Sequence, residues 1–186
     1  MTSREVGVNT EDPGPPSAMP VRVSVIGGGD ASPAELREAE ALGKYLGRRR
    51  AIIITGGLGG VMEAASRGCR KGGGTTVGFL PGSDPSEANP WVEIPLATGM
   101  GEARNVLVVR GGDVVVAVGG GWGTLSEIAL ARKMGREVGV VGEPMCDLSL
   151  PCFKSGEEGA RWALGLVEPS GSEGFQKERL NPADPL

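Results

Sequence analysis

Short apolar runs that end in glycine clusters constrain this chain more than any other feature. VRVSVI (21–26) runs into GGGDA, AIIIT (51–55) into GGLGG, and DVVVAV (113–118) into GGGWG. Each run is rich in β-branched residues and apolar almost throughout, as a strand buried on both faces reads. Helix-like stretches lie between the runs. Ser32-Pro33-Ala34-Glu35 supplies an N-cap, a proline at the first helical position and a capping-box glutamate. Leu36, Ala39, Leu42 and Leu46 then share one face of a helix reaching to about Arg48. Further helices are expected over 60–71, near 100–110, over 124–134 and over 155–167. Further strands are expected at TTVGFL (75–80) and EVGVV (137–141), with WVEIPL a short extended piece after the loop at 81–90. This alternation predicts an α/β, Rossmann-like three-layer fold with a mostly parallel sheet and right-handed crossovers.

Glycine supplies 33 of the 186 residues, without a collagen period, and its clusters read as turns. Aromatics are only 4%, so Val, Ile, Leu and Ala must build the core. The length suits one domain, placed at 21–167. Residues 1–20 carry acids and prolines and no apolar h-region, so they read as a disordered lead-in rather than a secretory signal. Residues 168–186 read as a polar tail. The net charge of -4 leaves no general basic footprint, so no nucleic-acid partner is expected. No apolar run is long enough to span a membrane, and none is expected as a partner. The three cysteines lack CxxC spacing, which reads as reduced thiols and a cytoplasmic location. With no histidine, the Ser-His-Asp triad, the Cys-His pair and the HExxH zinc site are excluded. Any chemistry falls to carboxylates, arginine, hydroxyls, backbone amides or a cofactor.

Parallel sheets of this kind bind ligands beyond the carboxyl ends of their strands, at the switch point. The clusters at 27–29, 56–60 and 119–123 occupy such strand ends and could converge on one cleft. Glycines there let backbone N–H groups approach an anion, and a following helix N-terminus adds unpaired amides and partial positive charge. Phosphate is therefore the expected guest, with Gly28, Gly29, Gly57, Gly59, Gly60, Gly120, Gly121 and Gly123 as candidate contacts. Neither common fingerprint is complete. No stretch reads GxxxxGK[ST], and both GGGDAS and GGGWGT fail the last position of GxGxxG, which disfavours NAD.

Several residues carry two readings each. Thr124-Leu125-Ser126-Glu127 has the form of a capping box, in which neither end does chemistry. Alternatively, Glu127 projects into the cleft beside a sugar phosphate. Arg104, with Asn105 in GMGEARN, reads either as a helix-surface arginine or as a phosphate clamp. Trp122 could stack on a base or pack against a neighbouring subunit. Asp30 and Asn89 read as turn residues more simply than as ribose contacts. Arg48-Arg49-Arg50 reads as a solvated helix end.

Residues 119–127, GGGWGTLSE, resemble the PGGxGTxxE signature of the Lonely Guy (LOG) family, often labelled "lysine decarboxylase", with Gly119 in place of the proline. Arg104 matches the family's upstream arginine, and Asn105 stands where lysine is common. TGGLGGVMEAASRGCRKGGGTTVGFLPG (55–82) resembles its second glycine loop, helix and third strand; the match runs from about Val21 to Val141. The resemblance implies cleavage of the N-glycosidic bond of a nucleoside 5′-monophosphate to free base and ribose 5-phosphate, with no metal or cofactor. Gly120, Gly121, Gly123 and Thr124 would hold the phosphate. Glu127 would stabilise the oxocarbenium-like sugar or position water, and Arg104 would assist the departing base or orient Glu127. It also implies a homodimer or homotetramer. Gly119, Asn105, the ANP loop (88–90) and the GMGEARN form are closer to a bacterial branch that also resembles molybdenum cofactor carrier proteins, which bind a pterin phosphate without turning it over. The alternative is thus a non-catalytic carrier or a nucleotide-sensing module. Decarboxylase chemistry is excluded, since no lysine sits in a cleft motif to form a Schiff base.

Overall fold

The computed structural model describes residues 19–144, 146 and 148–167. The expected lead-in, apart from Met19 and Pro20, and the expected polar tail at 168–186 lie outside the described residues. The described residues form seven strands and five α-helices in the order β1 (Arg22–Gly27), α1 (Pro33–Arg48), β2 (Ile52–Thr55), α2 (Val61–Gly72), β3 (Thr75–Leu80), β4 (Ile94–Ala97), α3 (Asn105–Gly111), β5 (Val114–Val118), α4 (Trp122–Lys133), β6 (Val138–Val141), β7 (Cys152–Phe153) and α5 (Gly156–Val167). Short 3-10 turns at Pro85–Glu87 and Gly101–Arg104 precede β4 and α3. The sheet order is β4-β3-β2-β1-β5-β6-β7, and every pairing is parallel. The switch point falls between β1 and β5.

The β-period of two divides each central strand between two cores. Val114, Val116 and Val118 join Val23, Val25, Leu42, Leu46 and Ala160 on the face covered by α1, α2 and α5. Val115 and Ala117 join Ile26, Val108, Val109 and Ile128 on the face covered by α3 and α4. Each fully buried Val or Leu contributes about 1.5–3 kcal/mol of hydrophobic transfer energy. Ser24, the buried polar residue of β1, is accommodated because its hydroxyl donates to the Val108 carbonyl at 2.6 Å.

Helix boundaries follow local chemistry. The α1 capping box forms as its sequence implies: Ser32 N–H donates to Glu35 Oε2 at 2.7 Å, and Glu35 N–H donates to Ser32 Oγ at 3.2 Å. Gly73, at φ 88°, ends α2 in the left-handed conformation. The two helices approach so closely that glycine is required on both. A Cβ on Gly43 would lie 2.1 Å from the Ala65 carbonyl oxygen, and one on Gly68 would lie 2.1 Å from that of Glu40. The helix expected at 100–110 is divided: a 3-10 turn ends at Arg104, and α3 starts at Asn105. α4 begins at Trp122, two residues before the expected start.

Candidate functional site

A cleft of about 360 Å³ opens at the switch point. Its walls come from the loop after β1 (Gly27, Gly28, Gly29, Asp30), the first glycine after β2 (Gly56), the 3-10 turn and start of α3 (Arg104, Asn105), and the start of α4 (Gly121, Gly123, Thr124, Glu127). Met62 of α2 lines it as well. The fold thus brings together Gly28, Gly29, Arg104, Asn105, Gly121, Gly123, Thr124 and Glu127 of the expected set. Gly57, Gly59, Gly60 and Gly120 lie outside this lining. Gly57 and Gly60 instead make tight turns at φ 76° and 66°; a Cβ on Gly60 would lie 2.3 Å from the Gly28 carbonyl oxygen. Gly120, at φ 114°, borders a narrow recess on the far side of its own loop.

Arg104 is 8% exposed, so it is no surface arginine. Its Nε is buried with no hydrogen-bond partner. Burial lowers its pKa, and the charge of Glu127 partly offsets that. Space for the guanidinium exists because residue 56 is glycine: a Cβ there would lie 2.1 Å from Arg104 Nη1. Glu127, 7% exposed, is pushed up to about 7 by burial, against the lowering effect of Arg104. A buried cation and a buried acid thus share one cleft, coupled through space without a hydrogen bond between them.

The capping-box reading of Thr124 and Glu127 does not hold. The N-cap of α4 is Gly121, which offers no side-chain bond, and Thr124 sits buried inside the first turn. The amides at this helix start carry no side-chain cap, and with the helix dipole they suit an anion. Asn89 is a brace for the second glycine loop: its side-chain amide donates to the Gly57 and Leu58 carbonyls at 3.1 and 2.9 Å and accepts from Trp91 N–H. Asp30 is exposed and lines the cleft. Trp122 is 78% exposed, beside a second groove that shares Arg104, Asn105 and Gly123 with the cleft. Gly119 sits at φ 52°, a backbone that proline, locked near -65°, cannot adopt; this accounts for the departure from the Lonely Guy signature. Sequence reading missed Gly56. The glycine is visible in TGGLGG, but the guanidinium that requires it comes from a distant segment.

A wholly parallel Rossmann-like sheet with a glycine-walled cleft at its switch point defines the class: a three-layer α/β protein with the ligand-site architecture of that fold. Within the class, the chain belongs to the SLOG cluster4 family, whose model matches residues 20–162. An uncharacterized protein of Archaeoglobus fulgidus is 37% identical over 144 residues, covering 77% of this chain and 95% of that one. The molybdenum cofactor binding protein of Rippkaea orientalis superposes with a TM-score of 0.75 at 33% identity, covering 81% of this chain and 99% of that chain. The molybdenum cofactor carrier protein of Chlamydomonas reinhardtii gives 0.71 at 32%, covering 79% and 99%.

DNA processing protein A of Helicobacter pylori, described by its single-stranded DNA binding mode, shares the fold at 18% identity and a TM-score of 0.62, over 78% of this chain and 81% of that one. That neighbour corrects the expectation of no nucleic-acid partner. Net charge sums the whole chain, whereas nucleic-acid contact depends on local charge, and a protein of this fold binds single-stranded DNA. No helix among the described residues is long and apolar enough to cross a membrane.

Proposed function

We propose that this protein binds a phosphorylated heterocyclic small molecule, of pterin or nucleotide class, with its phosphate at the start of α4 and against Arg104. The carrying observation is the buried Arg104, whose Nε has no hydrogen-bond partner and whose side chain lines a cleft walled by glycine backbone. A desolvated guanidinium left unpaired is costly, and a bound oxyanion supplies what it lacks. Gly121, Gly123 and Thr124 add backbone amides at the helix N-terminus, the arrangement that receives phosphate elsewhere. The molybdenum cofactor proteins of Rippkaea and Chlamydomonas, similar over four-fifths of this chain, support a pterin phosphate as ligand and a carrier role.

A second reading rests on Glu127. An acid poised at about 7 inside the cleft exchanges protons near neutral pH, as general acid–base catalysis requires. In that reading the protein cleaves the N-glycosidic bond of a nucleoside 5′-monophosphate. Glu127 stabilises the sugar cation or positions water, and Arg104 holds the phosphate or assists the leaving base.

One assay addresses both. Purified protein is titrated calorimetrically with molybdopterin and a panel of nucleoside 5′-monophosphates, and free base is followed by chromatography. The carrier reading expects tight binding without product, an affinity loss of about 100-fold in Arg104→Ala, and binding retained in Glu127→Gln. Base release by wild type but not by Glu127→Gln would establish the hydrolase instead. Equal affinities in wild type and Arg104→Ala would sink the phosphate site.

A further inference from the structure

In dinucleotide-binding relatives of this fold class, the pyrophosphate sits at the N-terminus of the helix that follows β1. Here that position is already filled from within the chain. Glu35 Oε2 takes the Ser32 N–H at 2.7 Å, at the head of α1. The other side of the same carboxylate reaches across the switch point to the loop after β5. A Cβ on Gly119 would lie 1.7 Å from Glu35 Oε1, and the carboxylate faces the Gly120 N–H. These contacts, led by the Ser32 N–H, hold Glu35 below the ordinary carboxylate range, so it is an anion at neutral pH. One resident negative charge therefore stands between the head of α1 and the loop after β5. The start of α4, with Arg104 beside it, is left as the open anion cradle.

We infer that Glu35 is a specificity-determining residue that stands where a second phosphate would bind, restricting the ligand to a single terminal phosphate. This rests on the phosphate-binding reading above. Three observations converge on it. Gly120 borders the recess behind its loop rather than the cleft, and its N–H faces Glu35. Gly119, at φ 52°, has the Glu35 carboxylate packed where its side chain would stand. Asp30, exposed on the cleft rim, adds a second negative charge on the β1 side. A diphosphate spanning the switch point would meet carboxylates where dinucleotide-binding folds present free amides.

The test uses the full chain and two pairs of probes, inorganic phosphate against pyrophosphate and AMP against ADP, titrated calorimetrically into wild type and Glu35→Gln. Glutamine at this position still completes a capping box, so α1 keeps its start, while the negative charge is lost. The expected result is that wild type favours the monophosphate of each pair, and that Glu35→Gln narrows the preference by about tenfold. A merely structural role would instead lower the affinities for both members of a pair together. Ser32→Ala, which weakens the cap without removing the carboxylate, should lower the melting temperature and leave the ratio unchanged. An unchanged ratio in Glu35→Gln, with monophosphate binding intact, overturns the inference and leaves the phosphate site standing. Absence of binding by every probe to wild type overturns both.

Discussion

Arg104 and Glu127 show how strongly burial changes a side chain's role. On a solvated helix the pair would contribute little, since exposed charges are screened. In the cleft each perturbs the other, and the acid carries the larger burden. Its value in the fold, about 7, lies above its ordinary 4.5, so the fold favours the protonated form. The stability it permits is full below about 4.5 and is lost as pH rises through 7. Glu127→Gln removes this dependence. Relative to wild type, the variant should gain on the order of 2–3 kcal/mol between pH 5 and pH 8, read from urea melts at both. A gap independent of pH would show that Glu127 is not the buried acid described here. The same proton links to ligand. A phosphate bound beside Arg104 places more negative charge near Glu127 and favours its protonated form.

At the scale of elements, glycine acts in two ways that sequence clusters alone do not separate. In the loops after β2 and β5 it permits left-handed backbone at Gly57, Gly60, Gly119 and Gly120. Within helices it permits close approach: Gly43 and Gly47 of α1 face Gly68 and Gly72 of α2, each with backbone of the other helix within 2.6 Å of where a Cβ would stand. This contact fixes how α1 and α2 lie across β1 and β2, and so where their N-termini meet the cleft. Helix propensity favours alanine over glycine by about 1 kcal/mol, but overpacking against backbone costs more. Gly68→Ala should therefore destabilise the protein by about 2 kcal/mol net in urea unfolding, although it replaces a poor helix former with the best. Equal or greater stability in the variant would contradict the contact.

The whole molecule is a sheet buried on both faces, and its thiols report on that burial. Cys69 sits on the buried face of α2, against α1, and burial pushes its pKa up to about 12, so almost no reactive thiolate exists at neutral pH. Cys146 and Cys152 are exposed. Ellman's reagent should modify these two thiols rapidly in the native chain and reach Cys69 only on opening of the core. Rapid reaction at all three under native conditions would mean that the α1–α2 layer opens locally.

Strand and helix order, the α1 capping box and the glycine-rich strand ends were legible in the chain, because hydrophobic period and capping chemistry are local properties. They were enough to indicate a Rossmann-like parallel sheet, while the resemblance to the Lonely Guy signature pointed to Arg104, Asn105, Thr124 and Glu127 as candidates. The two-residue β7 and the early start of α4 were not legible. The first forms only because Val140 and Val141 offer an open edge. The second depends on Gly121 serving as an N-cap without a side-chain bond. Whether Glu127 capped its own helix or entered a cleft was undecidable from spacing, since T-x-x-E fits both. Tertiary structure decided it, because the start of α4 and the burial of residue 127 are set by packing against β1, β5 and α3. The same holds for Gly56 beneath Arg104 and for Glu35 between the two glycine loops. Each acts through a partner distant in the chain, and only the folded sheet brings those partners together.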